Sequence, residues 1–525
     1  MEDNLSENKK LIINLLSSII AFGINLIIGF YLSPYIVKNL GVEANGFISL
    51  ANNFITYASL VTIALNSMSG RFITIAIHQS DYEKANKYYN AVFGGNLITA
   101  SVLAVPAVVS VIKLEYLINI PSNLIFDVKI LFSIIFINYF IGMILPNWAT
   151  ATFATNNLYL QSIKSLQSNI LKVVCILGLF IIFSPKVYYI AIASLVCTIY
   201  IAVYNWYYHK KLLPQLIIKR KYFNWIYVKE LIFSGIWNTI NQTGQILLSG
   251  LDLLIANLFV GATSMGALSL AKTVPNIITG LSGSLTSIFV PTLTIDYAHN
   301  DKDSLKKNLK KGMKLTGVLL TIPLAILIIY GSEFYSLWVP SQDAKVLQIL
   351  SVLTCFGLIF TSGTQCLYTI FTVVNKLKIN SLLVLLSGLI STIIVFILMK
   401  TTNLGVFAIA GVSSFVNLAR NMIYTVPFTA KYIGLKWNTF FPEVLSSVTS
   451  VIVLVLVGTT IKQFVTVNSW IMLIIAAGIT AILGLIINMF IVLSREERNF
   501  LLKLFNPFFV INLSDCKNSS SISFI

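Results

Sequence analysis

The chain has 525 residues, 57% of them hydrophobic and only 10% charged, with a mean hydropathy of +0.84. Soluble domains carry about 25% charged residues, so this composition excludes a soluble enzyme or nucleic-acid-binding domain as the main body. The net charge of +17 sits in short gaps between apolar runs, where basic residues meet anionic headgroups rather than nucleic acid.

A spanning helix needs about 20 apolar residues. In chain order the sequence supplies fourteen candidates: 11–33, 45–67, 91–113, 129–150, 167–185, 188–208, 231–256, 264–290, 313–332, 347–373, 380–400, 404–429, 446–462 and 469–493. The first is too long for a signal-peptide core and lacks a small-residue cleavage site, so it reads as a retained helix. With the N-terminus cytoplasmic, 26 Lys and Arg fall in inside segments, seven outside and three within spans. A miscounted middle helix would destroy that asymmetry, so the expectation is an all-α polytopic protein with fourteen spans and both termini cytoplasmic.

Two distant stretches repeat at one offset. Gly41, Gly46, Ser49, Leu50 and Ala51 match Gly261, Gly266, Ser269, Leu270 and Ala271 at 220, and Thr74 and Asp81 match Thr294 and Asp301. Pro121-Ser122 answers Pro340-Ser341, and Asn156, Leu158 and Ser162 answer Asn375, Leu377 and Ser381, at 219. A constant offset through four loops implies two parallel six-helix lobes with the site between them. The expected organisation is an N-lobe 1–208, a basic cytoplasmic linker 209–230, a C-lobe 231–430, and a segment 431–525 with the last two spans and a disordered tail from 511.

Polar stripes mark the spans next. The seventh carries Asn238, Asn241, Gln245, Ser249 and Asp252 at steps of 3, 4, 4 and 3, a spacing that predicts one polar face. The second carries Ser49, Asn52, Thr56, Ser59 and Asn66, and the eighth Ser269, Lys272, Asn276 and Thr279. Gln161, Ser165, Ser168 and Lys172 enter the fifth; Ser413, Asn417, Arg420 and Tyr424 mark the twelfth. Such faces either join helices or line a hydrated cavity. Their recurrence in both halves favours a cavity between the lobes.

Charges within the bilayer sharpen that reading, because each is costly unless paired or functional. Asp252 and Lys272 either form an ion pair bracing the helix seven–eight hairpin, or Lys272 joins Arg420, Lys172 and Arg71 in a cationic cavity for an anionic substrate. Arg71 also fits a snorkelling interfacial residue. Tryptophans lie mostly near span ends, as interfacial belts require, and the basic stretch 301–314 is expected to lie on the inner leaflet. Five scattered cysteines (Cys175, Cys197, Cys355, Cys366 and Cys516) without a CxxC, and three loop histidines (His78, His209 and His299), indicate neither a disulfide framework nor a metal centre. There is no P-loop, and no long outer loop to house paired carboxylates, which argues against an enzyme such as a polymerase or ligase.

Several motifs carry a family resemblance: Gly70-Arg71-Phe72 with Thr74; Trp237-x-x-x-Asn241-Gln242 with Asp252; Gly261-x-x-x-x-Gly266 with Ala271; Pro291; and Leu337-Trp338-Val339-Pro340. On these the chain resembles the polysaccharide-transporter (Wzx-type) flippases of the multidrug/oligosaccharidyl-lipid/polysaccharide (MOP) exporter superfamily, over about residues 1–430. The resemblance implies a MATE-like, two-lobed carrier of undecaprenyl-pyrophosphate-linked oligosaccharides for O-antigen, capsule or exopolysaccharide assembly. It would alternate between inward- and outward-open states, with cavity cations on the pyrophosphate, polar faces on the sugars and the prenyl tail in lipid. It further implies no cofactor, coupling to a proton or sodium gradient with Asp252 as the titratable candidate, and glycan-polymerase or other assembly partners. A flippase for the peptidoglycan precursor and an ion-coupled multidrug exporter are the competing readings. The latter would want several membrane acids, where Asp252 is almost alone.

Overall fold

The computed structural model describes residues 7–374, 376–492 and 498, and among these every regular element is helical. Expectations that fall on the tail, including Cys516 and residues 511–525, lie outside the described residues. The first half of the chain holds α1 (Glu7–Leu40), α2 (Val42–Asn66), α3 (Ser69–His78), α4 (Tyr82–Ile112), α5 (Leu114–Leu117), α6 (Ile125–Ile144), α7 (Thr150–Ala154), α8 (Leu158–Ile182) and α9 (Tyr189–Leu212). Next come α10 (Trp225–Gln245), a π-turn (Ile246–Gly250), α11 (Asp252–Phe259), α12 (Ala262–Ala271), α13 (Thr273–Ser287) and α14 (Val290–Ala298). The last part holds α15 (Lys302–Trp338), α16 (Ala344–Thr361), α17 (Leu367–Val373), α18 (Leu377–Thr401), α19 (Val406–Arg420), a second π-turn (Asn421–Thr425), α20 (Val426–Tyr432), α21 (Phe441–Phe464) and α22 (Trp470–Ile491).

Among the described residues eleven helices are long and apolar enough to cross a membrane, or twelve when the bent pair Ala262–Ser287 and Thr292–Ala298 is taken as one span. Fourteen is compatible with this: the other two expected spans fall on α1 and on the run α10–α11, which the π-turn divides. Along α4, Val102, Val105, Val108, Val109 and Ile112 are all at least half exposed. Their spacing of three to four residues makes a continuous oily stripe, which water would not tolerate and lipid requires. The protein is a multi-pass membrane protein.

Grouped by contact, the chain forms two compact units. One comprises residues 1–277, 334–356 and 375–420, and the other 278–333, 357–374 and 421–525. The repeat lobes are a relation of sequence, whereas these units are a relation of contact, and the two divide the chain differently.

Within the first unit the repeat is visible as direct packing. Residues 220 apart touch one another: Ser269 Oγ donates to Ser49 Oγ at 2.7 Å, and Thr263 Oγ1 to Glu43 Oε1 at 2.7 Å. Gly46 and Gly266 let α2 and α12 cross closely, since a Cβ on Gly46 would sit 2.9 Å from Gly266 Cα. Each of these helices begins after a glycine in the left-handed region, Gly41 at φ +87° and Gly261 at φ +121°, where a side chain would be strained. Further on, Asp81 caps α4 by accepting from Lys84 N at 2.9 Å, and Asp301, its repeat mate, accepts from Ser304 N at 2.9 Å. That amide holds the Asp301 carboxyl below the usual carboxylate range.

The basic linker is packed, not loose. Asn86 and Asn90, one turn apart on α4, bond its backbone in the manner of a strand. Asn86 gives Nδ2 to Gln215 O and takes Ile217 N; Asn90 gives Nδ2 to Ile217 O and takes Lys219 N, all at 2.8–2.9 Å. Leu213 and Leu216 of the linker join Tyr88, Tyr89, Val92 and Leu231 in a buried cluster. His209, expected in a polar loop, is instead buried in the last turn of α9, its Nε2 2.9 Å from Leu216 O and its ring stacked on Tyr89.

In the second unit α15 is a single 37-residue helix. The basic stretch 301–314, expected to lie separately on the membrane surface, is the start of this helix, and Lys310 pairs with the buried Glu443 at 2.9 Å. Further along, α15, α21 and α22 share a closed triangle of polar side chains. Thr321 Oγ1 lies 3.2 Å from Ser450 Oγ, Ser450 Oγ 2.5 Å from Asn488 Oδ1, and Asn488 Nδ2 3.5 Å from Thr321 Oγ1.

Candidate functional site

The geometry centres on α10, which Asn224 caps through Ile226 N at 2.8 Å. Gly235 lets it press onto α2, because a Cβ there would collide with the carbonyl of Ala64. Gly244 does the same toward α18, where a Cβ would lie 2.5 Å from Leu385 N. With α10 held between α2–α3 and α18, a cavity of about 400 Å³ opens where the three meet, lined by Arg71 and Phe72 of α3, Ser234, Trp237 and Asn238 of α10, and Lys378 of α18. Arg71 and Lys378 are both exposed there, the Lys378 ammonium stands 5.4 Å from the Trp237 ring centre, and Asn238 Nδ2 donates to Ser67 Oγ at 3.2 Å. Among the described residues, no acidic one lines this cavity. It offers two cations, an aromatic face and amide and hydroxyl groups, a set suited to a phosphate attached to sugars.

Beyond Gln245 the helix leaves α-geometry. Leu251 N reaches back five residues to Ile246 O at 3.0 Å, and four successive carbonyls of the π-turn are taken up by side chains. Thr392 Oγ1 donates to Leu247 O at 2.8 Å and Ser391 Oγ to Leu248 O at 3.3 Å. Lys272 Nζ donates to Ser249 O at 3.0 Å, and Tyr57 and Asn53 both reach Gly250 O, at 2.7 and 3.2 Å. A π-turn inserts one residue, so the face shared by Asn238, Asn241 and Gln245 does not continue to Ser249 and Asp252 as the spacing predicts. Ser249 is exposed, while Asp252 is buried at 4% exposure.

Of the two readings of Asp252 and Lys272, the structure has the ion pair: Lys272 Nζ lies 2.5 Å from Asp252 Oδ2. The four candidate cations are dispersed. Arg71 lines the 400 Å³ cavity. Lys172 lines a second one, of about 140 Å³, together with Asn52, Asn138 and Tyr139. Arg420 is buried at the end of α19, where its Nη2 donates to Asn417 Oδ1 at 2.8 Å; the second π-turn begins at the next residue, so Tyr424 is out of step with Ser413, Asn417 and Arg420. Thr56 bonds back to Asn52 O at 3.2 Å; Asn241 and Gln245 are half-buried on α10, and Asn276 is exposed on α13. Sequence reasoning missed Lys378 as a cavity residue, reading it as an inside-loop charge two residues before the span 380–400, and named Trp237 in the family motif and the interfacial belt without a place in the site. The structure starts α18 at Leu377 and so brings Lys378 into the helix.

These observations define a polytopic helical membrane protein, and comparison with solved structures shows the fold it shares. The fold matches the lipid II flippase MurJ in its inward closed conformation with a TM-score of 0.67 at 16% identity, over 93% of this chain and 99% of that one. It also matches an inward-facing multidrug resistance MATE transporter of the MOP superfamily, with a TM-score of 0.60 at 14% identity over 80% of this chain and 98% of that one. The family model described as polysaccharide biosynthesis protein matches residues 40–339, and the chain belongs to that family. The uncharacterized membrane protein EpsK of Bacillus subtilis (strain 168) is 29% identical over 497 residues, 94% of this chain and 98% of the relative. The motif resemblance to Wzx-type polysaccharide flippases therefore holds.

Proposed function

We propose that this flippase carries undecaprenyl-pyrophosphate-linked oligosaccharide repeat units, of the O-antigen, capsule or exopolysaccharide kind, across the bacterial cytoplasmic membrane by alternating access between its two repeat lobes. The observation that carries the reading is the acid-free cavity of Arg71, Lys378, Trp237 and Asn238. Arg71 presents a planar fork that suits phosphate oxygens, and Lys378 adds a second point charge. Trp237 offers a flat apolar surface to a sugar ring, and Asn238 and Ser234 offer hydrogen bonds. The distribution of Lys and Arg supports a cytoplasmic side for both termini, the end of α3 and the starts of α10 and α18, the side on which the cavity would have to load. The prenyl tail stays in the lipid. A cationic drug would be repelled by the same lining, which disfavours the multidrug reading.

In this reading, coupling to a proton or sodium gradient runs through Asp252, and the Lys272 ammonium is the group an entering cation has to displace. A glycan polymerase and other assembly proteins would receive the cargo on the far side. The test is translocation of a lipid-linked oligosaccharide by the purified protein in vesicles, with surface glycan in a deletion strain as the cellular readout. Arg71→Ala with Lys378→Ala should reduce both at least about tenfold, the equivalent of roughly 1.4 kcal/mol, while the protein still reaches the membrane. Full activity of that double variant would overturn the reading.

A further inference from the structure

The first unit contains a second polar cavity whose lining, apart from this proposed substrate site, has a chemistry of its own. It lies among α2, α6, α8 and α9, and Lys172 projects into it from near the middle of the 25-residue α8. A cation at that depth is costly, by about 2.5–3.5 kcal/mol on insertion scales. Other lysines in or beside the spans meet a carboxylate: Lys272 with Asp252, Lys462 with Glu333, Lys129 with Glu115, Lys186 with Asp127 and Lys310 with Glu443. Among the described residues Lys172 has no such ion-pair partner, and no acid lines its cavity.

What surrounds the ammonium is neutral, with a few polar side chains among apolar ones. Asn52 uses one amide hydrogen on Ile48 O at 2.9 Å, which leaves the second free. Asn138 has a buried amide oxygen with no hydrogen bond among the described residues. Tyr139 adds a hydroxyl with no hydrogen bond among the described residues, whereas Ser194 spends its hydrogen on Ile190 O at 2.9 Å. The volume of about 140 Å³ falls well below the ~300 Å³ at which drug-sized ligand pockets begin. It holds roughly four waters at ~30 Å³ each. A sugar-linked pyrophosphate does not fit; a small ion with part of its hydration shell does.

We propose that this cavity binds a small monovalent anion of the chloride class as the exchangeable counter-ion of Lys172. One lysine balances one negative charge, and the second Asn52 N–H with the Tyr139 hydroxyl replaces part of the ion's hydration.

The test follows the unfolding temperature of the purified full-length protein in chloride or bromide against gluconate, at constant ionic strength. Wild type should gain a saturable upward shift in the two halides, since a ligand bound only by the folded state stabilises it. Lys172→Gln should lose that shift. Asn138→Asp builds a fixed carboxylate beside the ammonium, and should fold and be insensitive to halide. Equal stability of wild type in chloride and gluconate, or a halide response persisting in either variant, overturns the proposal. Arg71→Ala with Lys378→Ala should keep the halide response, so failure here is distinct from failure of the substrate reading.

Discussion

Lys272 and Asp252 neutralise one another inside the protein, 2.5 Å apart, with side-chain exposures of 14% and 5%. The same ammonium holds the carbonyl of Ser249 at 3.0 Å, so one lysine on α12–α13 clamps both the carboxylate that opens α11 and the π-turn before it.

Removing one partner of a buried pair strands the other. Asp252→Asn or Lys272→Met alone should lower stability by about 3–5 kcal/mol. The apolar double variant Asp252→Leu with Lys272→Met should recover most of that loss, because neither charge then lacks a partner. Unfolding in mixed detergent measures all three. A double variant no more stable than the singles would mean the pair is not the source of the loss.

At the crossing of α10 and α18 there is no room for a methyl group. A Cβ on Gly388 would collide with the carbonyl of Gly244 and sit 2.8 Å from Leu247 Cβ. Gly388→Ala should therefore cost about 1–3 kcal/mol through overpacking. Gly178→Ala on α8, where nothing lies within 4 Å, should be neutral or slightly stabilising by helix propensity. Melting temperatures of the two variants side by side check the contrast.

The strap on the linker gives a third expectation. Asn90→Ala removes the side chain that donates to Ile217 O and accepts from Lys219 N. Trypsin should then cut at Lys219, Arg220 or Lys221 several-fold faster than in the parent, at unchanged helix content. Cleavage at the parental rate would mean that apolar packing of Leu213 and Leu216 alone fixes the segment.

For α22, the polar triangle predicts an effect of modest size. Asn488→Leu removes one corner and leaves Thr321 and Ser450 bonded to each other. Interhelical hydrogen bonds inside membranes average well under 1 kcal/mol and reach about 1.7, so the expected loss is roughly 1–2 kcal/mol. Unfolding of the purified variant measures it, and a change several times larger would point to lost packing instead.

Much of this architecture was legible in the sequence because the governing periodicities are simple. Apolar runs gave the helices, and a 220-residue offset paired Ser49 with Ser269, which the structure brings into contact. The site was less legible. Projection of Asn238, Asn241, Gln245, Ser249 and Asp252 onto one face assumes an unbroken helix, and the carbonyl partners that permit the π-turn sit on α2, α12–α13 and α18, far away in the chain. Spacing also gives a residue's face and not its neighbours, so Lys172 and Arg71 read as one group while α8 and α3 deliver them to separate cavities. Lys378 was counted for the sign of its charge, and only the approach of α18 to α10 places it against Trp237.

The carbonyls of residues 247–250 are held by five side chains drawn from three distant parts of the chain. Removing the bulge from α10–α11 would turn everything past it by about 100°, and no single latch can be released without loosening its companions. That makes the segment a detent: a place where rotation of a membrane rod proceeds in clicks rather than by gradual twist.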